Sequence, residues 1–384
     1  MQAVLADKHI ETRALVVEKP QGPFVLHDVI FDEVRDDEVL VEIKYSGLCH
    51  TDLVAQQGLI PLAGFPVILG HEGAGIVRRL GGCLKDQSLK VGDHVLLSFS
   101  SCMNCSYCAQ GQNGLCPQMH AINFTGTRLA DGSNPASLRN GTSIRSKFFG
   151  QSSFSKLAVV SENSIVKCEL SDEEFAIMAP MGCGYLTGAG TVMTVLKPRK
   201  QSTLAILGMG AVGLSALIAA KAMGVQRLIA VDILDTKLSL AKSLGATDIV
   251  NSNNIESLGK ALRELARNGV DHIIDTTGLS FMIEEGINAL GHGGSFAIVG
   301  APRPGGTITI DPLDMLRSCK RIVGVVEGAS NPATLIPELI RLHREGLFPV
   351  ERLSRTYSVT DLDIAIEDLK AGNIVKPVLS WESV

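Results

Sequence analysis

The chain has 384 residues, 45% of them hydrophobic and 20% charged, which fits a folded chain of about two to three domains and excludes wholesale disorder. Its 35 basic and 40 acidic residues leave a net charge of −5. With no Lys/Arg run beyond Lys197-Pro198-Arg199-Lys200, the basic stripe of a nucleic-acid binder is missing.

In chain order, the first third reads as β-rich. Leu15-Val16-Val17-Glu18, Val39 to Ile43 and His94 to Leu97 are short apolar or alternating runs, and Gly81-Gly82 and Gly92-Asp93 are turn signals between strands. Residues 101–150 carry little regular pattern, and loops of that length usually have a function. Strands are expected again over 154–168. After Pro198 the rhythm becomes β-α-β: strands at Leu204–Leu207, Arg227–Val231, Asp271–Asp275 and Ser295–Gly300, with helical stretches at Leu214–Met223 and Leu238–Leu244. Such alternation predicts a parallel sheet with helices on both faces. Helices at Ile336–His343 and Leu362–Leu369 and a last strand at Val378–Trp381 follow. The uncharged stretch Ser202–Ala220 approaches a membrane span in length. Gly208, Gly210 and Gly213 interrupt it, so it reads as a buried strand, a turn and a helix. The first eight residues lack the basic start and apolar run of a secretion signal. A soluble, cytoplasmic protein with no membrane or nucleic-acid partner is expected.

Nine cysteines in such a chain are not a disulfide framework. Cys102-x2-Cys105-x2-Cys108-x7-Cys116 supplies four thiolates from one loop, a closed tetrahedral zinc set whose role is structural. Free thiols or a redox switch are the weaker alternatives, since exposed thiols this close together are an oxidation hazard. A second group is scattered: Gly47-Leu48-Cys49-His50-Thr51-Asp52, Gly70-His71-Glu72 and Met181-Gly182-Cys183-Gly184. Each alone is ordinary, because a lone Cys is usually a small buried hydrophobe. Together Cys49, His71 and Cys183 would form a two-cysteine, one-histidine site with a fourth position open to water or substrate. Spacing does not show that they meet.

Gly208-Met209-Gly210-Ala211-Val212-Gly213 follows an apolar strand and opens a helix, the context that gives this glycine pattern its meaning. Gly208 permits the turn, Gly210 lets a pyrophosphate approach the helix N-terminus, and Gly213 allows close helix–strand packing. Asp232 stands nineteen residues after Gly213, at the end of the next strand. A carboxylate there accepts from ribose hydroxyls and repels a 2′-phosphate, so NAD is expected rather than NADP.

Taken together, these motifs resemble the zinc-dependent alcohol dehydrogenases of the medium-chain dehydrogenase/reductase superfamily over nearly the whole chain. Phe154-Ser155, Val159-Val160 and Gly182-Cys183-Gly184-x-x-Thr187-Gly188 belong to the same set. Cys49-His50-Thr51-Asp52, Thr187-Gly188-Ala189-Gly190 and Gly324-Val325-Val326-Glu327-Gly328 look most like the aryl (benzyl) alcohol dehydrogenases. The resemblance implies a catalytic zinc on Cys49, His71 and Cys183, with Glu72 behind the metal and Asp52 fixing the His71 tautomer. It implies a structural zinc on Cys102, Cys105, Cys108 and Cys116, hence two zinc ions per subunit. Thr51 would bond the substrate oxygen and Thr187 would contact the nicotinamide. Lys237 would reach the adenosine ribose. His50 and Lys376 stand where better-known members carry arginines on the pyrophosphate, which predicts weaker NAD binding or faster cofactor release. Phe99 is expected near the substrate. The relay histidine of familiar members is replaced by Val54, so the proton must leave by another route, from Thr51 through the cofactor ribose.

The implied fold is α/β: a GroES-like β-barrel catalytic domain (1–185), a Rossmann doubly wound parallel-sheet domain of six strands (186–326), and a return segment (327–384) completing the first. The implied activity is hydride transfer between a primary, aryl or allylic, alcohol and NAD. The alternatives are an NADH-dependent aldehyde or ketone reductase of one natural-product pathway and a non-catalytic protein on the same fold. A homodimer or homotetramer is expected, with a small alcohol or aldehyde as substrate.

Overall fold

A computed structural model describes residues 9–60 and 64–384; the N-terminal stretch 1–8, read above for a leader, lies outside them. The chain divides into two compact units.

The first unit spans Met1–Cys183, Asn331–Pro337 and Leu353–Val384 and is built on two largely antiparallel sheets. Its strands are β1 (Ile10–Val17), β2 (Phe24–Phe31), β3 (Glu38–Gly47), β4 (Val67–Ile68), β5 (Gly73–Leu80), β6 (His94–Leu97), β7 (Ala136–Leu138), β8 (Ser143–Ile144), β9 (Leu157–Ser161) and β10 (Ile165–Lys167). The strands running at 354–358 and 376–380 also belong to it. One sheet runs β4-β1-β2-β7-β8. The other is centred on β3, which pairs with both β5 and β9. Its first four residues, Glu38 to Val41, are buried on both faces, and only around Glu42–Tyr45 does burial alternate, with Ile43 inward.

The second unit spans Gly184–Ser330 and Glu338–Arg352. Its strands are β11 (Thr203–Leu207), β12 (Arg227–Asp232), β13 (Asp248–Asn251), β14 (Val270–Asp275), β15 (Leu290–Ile298) and β16 (Arg321–Gly324). They form one parallel sheet in the order β13-β12-β11-β14-β15-β16, the doubly wound arrangement. Leu207, Ile229, Val231, Ile273 and Phe296 lie in one core cluster with Met282, Ile283 and Ile287 of the helix Ser280–Ala289. β13 and β16 escape the sequence reading because they are four-residue edge strands with few buried side chains. Residues 338–352 cluster with this unit, whereas the sequence reading assigns them to the return segment.

The chain re-enters the first unit to form β17 (Ser354–Ser358) and β18 (Lys376–Ser380). β18 pairs antiparallel with β3, Val378 opposite Gly47 and Ser380 opposite Tyr45. Among the described residues no helix is long and apolar enough to cross a membrane.

Candidate metal centre and nucleotide loop

Strand register brings the scattered ligand candidates together. β3 ends at Gly47, two residues before Cys49, and β5 begins at Gly73, two residues after His71. Ser46 pairs with Gly73, and the Gly47 N–H donates to the Glu72 carbonyl at 2.9 Å. From the other side of β3 the Leu48 N–H donates to the Pro377 carbonyl at 2.9 Å, which brings Lys376 to the same end. At the end of β6 the Ser98 hydroxyl donates to the Gly182 carbonyl at 2.6 Å and so anchors the turn that carries Cys183. The result is that Cys49, His71, Glu72 and Cys183 present ligand atoms all within 4.8 Å of one another.

Asp52 organises this cluster. Cys49 caps the helix His50–Gln56, and its N–H donates to Asp52 Oδ2 at 3.0 Å. Asp52 Oδ1 accepts from the Gly70 N–H at 3.0 Å and lies 3.0 Å from His71 Nδ1. One buried carboxylate thus pins the helix start, the approach of the chain to His71, and the imidazole ring. His71 also stacks on Phe149 at 4.5 Å and meets the edge of Phe148. Gln151, fully buried, donates to the His71 and Ser98 carbonyls and accepts from the Gly73 N–H. Sequence reading missed Gln151, Phe148 and Phe149, since nothing in their spacing marks them.

His71 Nε2 is buried with no hydrogen-bond partner, although an orphaned polar atom of this kind is costly. The pocket also attracts positive charge. Burial opposes a charged His71, but Asp52 and Cys49 more than offset it and lift the imidazole well above its usual range. A hydrogen bond with Cys183 draws the Cys49 thiol well below its usual range, against burial and helped by Lys376 and His71. Two cysteine sulfurs, one imidazole with a fixed ring and a free Nε2 are a donor set that fits zinc, and the residues present fit that ion.

Lys376 takes a partner that the sequence did not suggest. It is buried, and its ammonium donates to both Glu72 oxygens at 2.9 Å and lies 3.4 Å from the Leu48 carbonyl. The ion pair joins it to a carboxylate that is fully buried. Burial works against the lysine's charge, while Glu72 and Cys49 hold the proton and raise its pKa.

The second group is local. Cys102, Cys105, Cys108 and Cys116 place their sulfurs within 4.8 Å of one another. Cys105 caps the short helix Ser106–Ala109, with Cys108 N–H on its sulfur at 3.5 Å. Burial raises the Cys102 thiol, but the Asn104 and Cys105 N–H groups outweigh it and bring the group down to about 7. Burial pushes Cys116 up to about 11. Four convergent sulfurs of this kind fit a closed tetrahedral ion.

In the second unit β11 runs into Gly208, at φ +93, and then into the helix Ala211–Ala222. A side chain at Gly213 would sit 1.9 Å from the Gly208 carbonyl oxygen, so only glycine allows this packing. A Cβ at Gly210 would meet nothing within 4 Å. That open space lies over a helix N-terminus with no side-chain cap, a ready anion site. Asp232 Oδ2 accepts from the Met209 N–H at 2.7 Å, and Oδ1 accepts from Ile233 and Leu234 N–H. The carboxylate therefore stands beside the glycine turn, with acceptor capacity left on Oδ2. The loop fits a dinucleotide. Lys237 is half-buried on the next helix, Asp235–Leu244, and Thr187 is buried on the helix Gly184–Gly190. His50 is exposed, Thr51 Oγ1 lies 3.8 Å from Cys49 Sγ, Val54 is half-buried, and Phe99 is buried.

Comparison with known proteins gives the family. Residues 35–170 match the alcohol dehydrogenase GroES-like domain and residues 211–343 match the zinc-binding dehydrogenase domain. The chain therefore belongs to the zinc-dependent alcohol dehydrogenases of the medium-chain dehydrogenase/reductase superfamily, and it is an enzyme of that class. It is 36% identical to the geraniol dehydrogenase of Castellaniella defragrans, over 96% of this chain and 98% of that one. The benzyl alcohol dehydrogenase of Acinetobacter calcoaceticus superposes with a TM-score of 0.91 at 37% identity, over 97% and 99% of the two chains. An alcohol dehydrogenase zinc-binding domain protein from Burkholderia ambifaria gives 0.92 at 39% identity, over the same shares. Within the superfamily the chain stands close to the aryl alcohol dehydrogenases.

Proposed function

We propose that the protein interconverts a primary aryl or allylic alcohol and its aldehyde, with NAD as hydride acceptor and two zinc ions per subunit. The observation that carries this reading is the convergence of Cys49, His71 and Cys183 with an orphaned, buried His71 Nε2. When bound there, zinc supplies Lewis acidity that makes a hydroxyl easier to deprotonate. The chain's own residues do the rest. Cys49, His71 and Cys183 hold the ion, Asp52 holds the His71 ring, and Glu72 lies behind, neutralised by Lys376. Thr51 takes the substrate proton. Val54, one turn further along the same helix, carries no titratable group, so the proton passes from Thr51 towards the cofactor ribose. Asp232 binds the adenosine ribose, with Lys237 beside it. Gly208, Gly210 and Gly213 open the helix N-terminus to the pyrophosphate, His50 adds a donor to it, and Thr187 meets the nicotinamide. Overall, RCH2OH and NAD+ give RCHO, NADH and a proton.

The substrate class draws its support from two relatives named for geraniol and benzyl alcohol. Both alcohols carry the hydroxyl next to a π system, which conjugates with the forming carbonyl. The Cys102–Cys116 loop holds the second zinc. Six of the nine cysteines are metal ligands in this reading, which suits a reducing cytoplasm. The chain assembles as a homodimer or homotetramer.

The test is NADH formation from benzyl, allylic and short aliphatic alcohols, with and without a zinc chelator, repeated with NADP. Chelator-sensitive, NAD-selective turnover favouring the first two classes is expected. No turnover of any alcohol or aldehyde by zinc-loaded protein would overturn the reading.

A further inference from the structure

The segment after β16 is strained and buried in a way that neither the metal centre nor the glycine loop explains. Glu327, Gly328 and Ala329 all lie in the left-handed region, with φ of 48, 62 and 48. Two of the three carry side chains that seldom adopt it, a strain that tends to collect at functional sites. The turn is held by Ala329 N–H on the Val326 carbonyl at 2.8 Å and by the Ser330 hydroxyl on the Glu327 carbonyl at 2.7 Å. A methyl at Gly328 would sit 2.7 Å from Gly190 Cα, so this turn is locked against the helix Gly184–Gly190. Its effect is to bury the Glu327 side chain, where Oε2 accepts from the Thr187 hydroxyl at 3.0 Å.

Strand order gives this carboxylate its place. The order reverses between β11 and β14, and a dinucleotide lies across the carboxyl ends of the strands at such a point, one nucleotide over each half of the sheet. In the function proposed above, on which this inference rests, Asp232 at the end of β12 takes the adenosine half. The nicotinamide half then falls over β14–β16, and Glu327 follows the last residue of β16 by three positions.

We propose that Glu327 is a positioning residue that favours the oxidised nicotinamide. By accepting the Thr187 hydrogen it leaves that hydroxyl's lone pairs to face the cofactor as acceptors. Its buried negative charge attracts the cationic ring of NAD+ and does nothing for the neutral ring of NADH. The oriented hydroxyl serves both forms, while the charge holds NAD+ for alcohol oxidation and loosens NADH once the hydride has arrived.

The experiment measures dissociation constants of NAD+, NADH and ADP-ribose for the zinc-loaded wild type, Glu327→Gln and Thr187→Val at one neutral pH. Glu327→Gln, nearly isosteric, is expected to lower the ratio Kd(NADH)/Kd(NAD+) by about tenfold, the order of one unit-charge interaction in partly dry protein. ADP-ribose binding stays unchanged. Thr187→Val leaves the carboxylate in place, so it weakens both nicotinamide forms while keeping the ratio. An unchanged ratio in Glu327→Gln that still binds NAD+ would overturn the inference. If that variant does not fold, Thr187→Val decides: a tenfold fall in its ratio assigns the discrimination to the hydroxyl and overturns the role of Glu327. Wild type that binds none of the three nucleotides would sink the NAD reading itself, a result distinct from either.

Discussion

Asp52 is where a single side chain has the widest reach. Its two oxygens hold the Cys49 N–H, the Gly70 N–H and the His71 ring at 3.0 Å each. Removing its charge while keeping its shape separates electrostatics from packing. Asp52→Asn is expected to weaken zinc at the Cys49–His71–Cys183 site by about 10–100-fold, the usual cost of losing a carboxylate behind a ligating histidine. Competition against a chromogenic chelator measures this directly. The ion on Cys102–Cys116 serves as the internal control, since none of its ligands touches Asp52. Lys376 illustrates the opposite arrangement, a cation buried because an acidic group beside it demands one. An ion pair broken on one side leaves the other charge uncompensated in the interior.

At the scale of elements, β3 carries more than its hydrogen-bond ladder. Glu38 at its start is buried and receives Arg128 Nε and Nη2 at 2.9 Å and Lys147 Nζ at 3.0 Å, while Arg128 also makes two bonds to Asp32. This network ties the segment 128–147, which carries β7 and β8, to the strand that leads to Cys49. Burial alone would raise the Glu38 carboxyl; Lys147 and Arg128 win and hold it at about 2, against an ordinary 4.5. A carboxyl depressed on folding contributes stability that is present above its unfolded pKa and is lost as pH falls through the folded one. Unfolding free energy is therefore expected to decline between about pH 4.5 and 2 in part through this group. Glu38→Gln should flatten that slope and also lower stability at neutral pH, because Lys147 and Arg128 then stay buried without their anion. Urea titrations across the range measure both. A slope identical in the variant would show that other carboxyls carry the acid transition.

For the whole molecule, the candidate site residues divide between the two units. The two cysteine-bearing clusters belong to the first and the glycine loop to the second. On the stoichiometry proposed above, two zinc ions per chain, Cys105→Ser is expected to lower bound zinc to one. It should destabilise the first unit while ADP-ribose affinity stays within about twofold. Metal analysis together with nucleotide titration reads both numbers. Loss of nucleotide binding in step with that ion would show that the units do not fold independently.

Residue chemistry and short-range order were legible without coordinates. The four-cysteine loop closes within fifteen residues, so local chain geometry alone lets its sulfurs converge, and the glycine turn is a feature of six consecutive residues. The parallel sheet was legible for the same reason, because each β-α-β unit shows its own change of hydrophobic period. Edge strands such as β13 and β16 stayed hidden, since four half-exposed residues carry no period. What only the tertiary structure decided is long-range convergence. Cys49, His71 and Cys183 meet because β3 pairs with β5 in one register and because Ser98 ties the Cys183 turn to β6. A slip of one residue would turn these side chains to the other face. Lys376 reaches Glu72 across 304 positions, and Glu327 reaches Thr187 across 140. Spacing cannot encode such pairs, because the burial and the backbone turns that select the partner exist only once the sheets have formed.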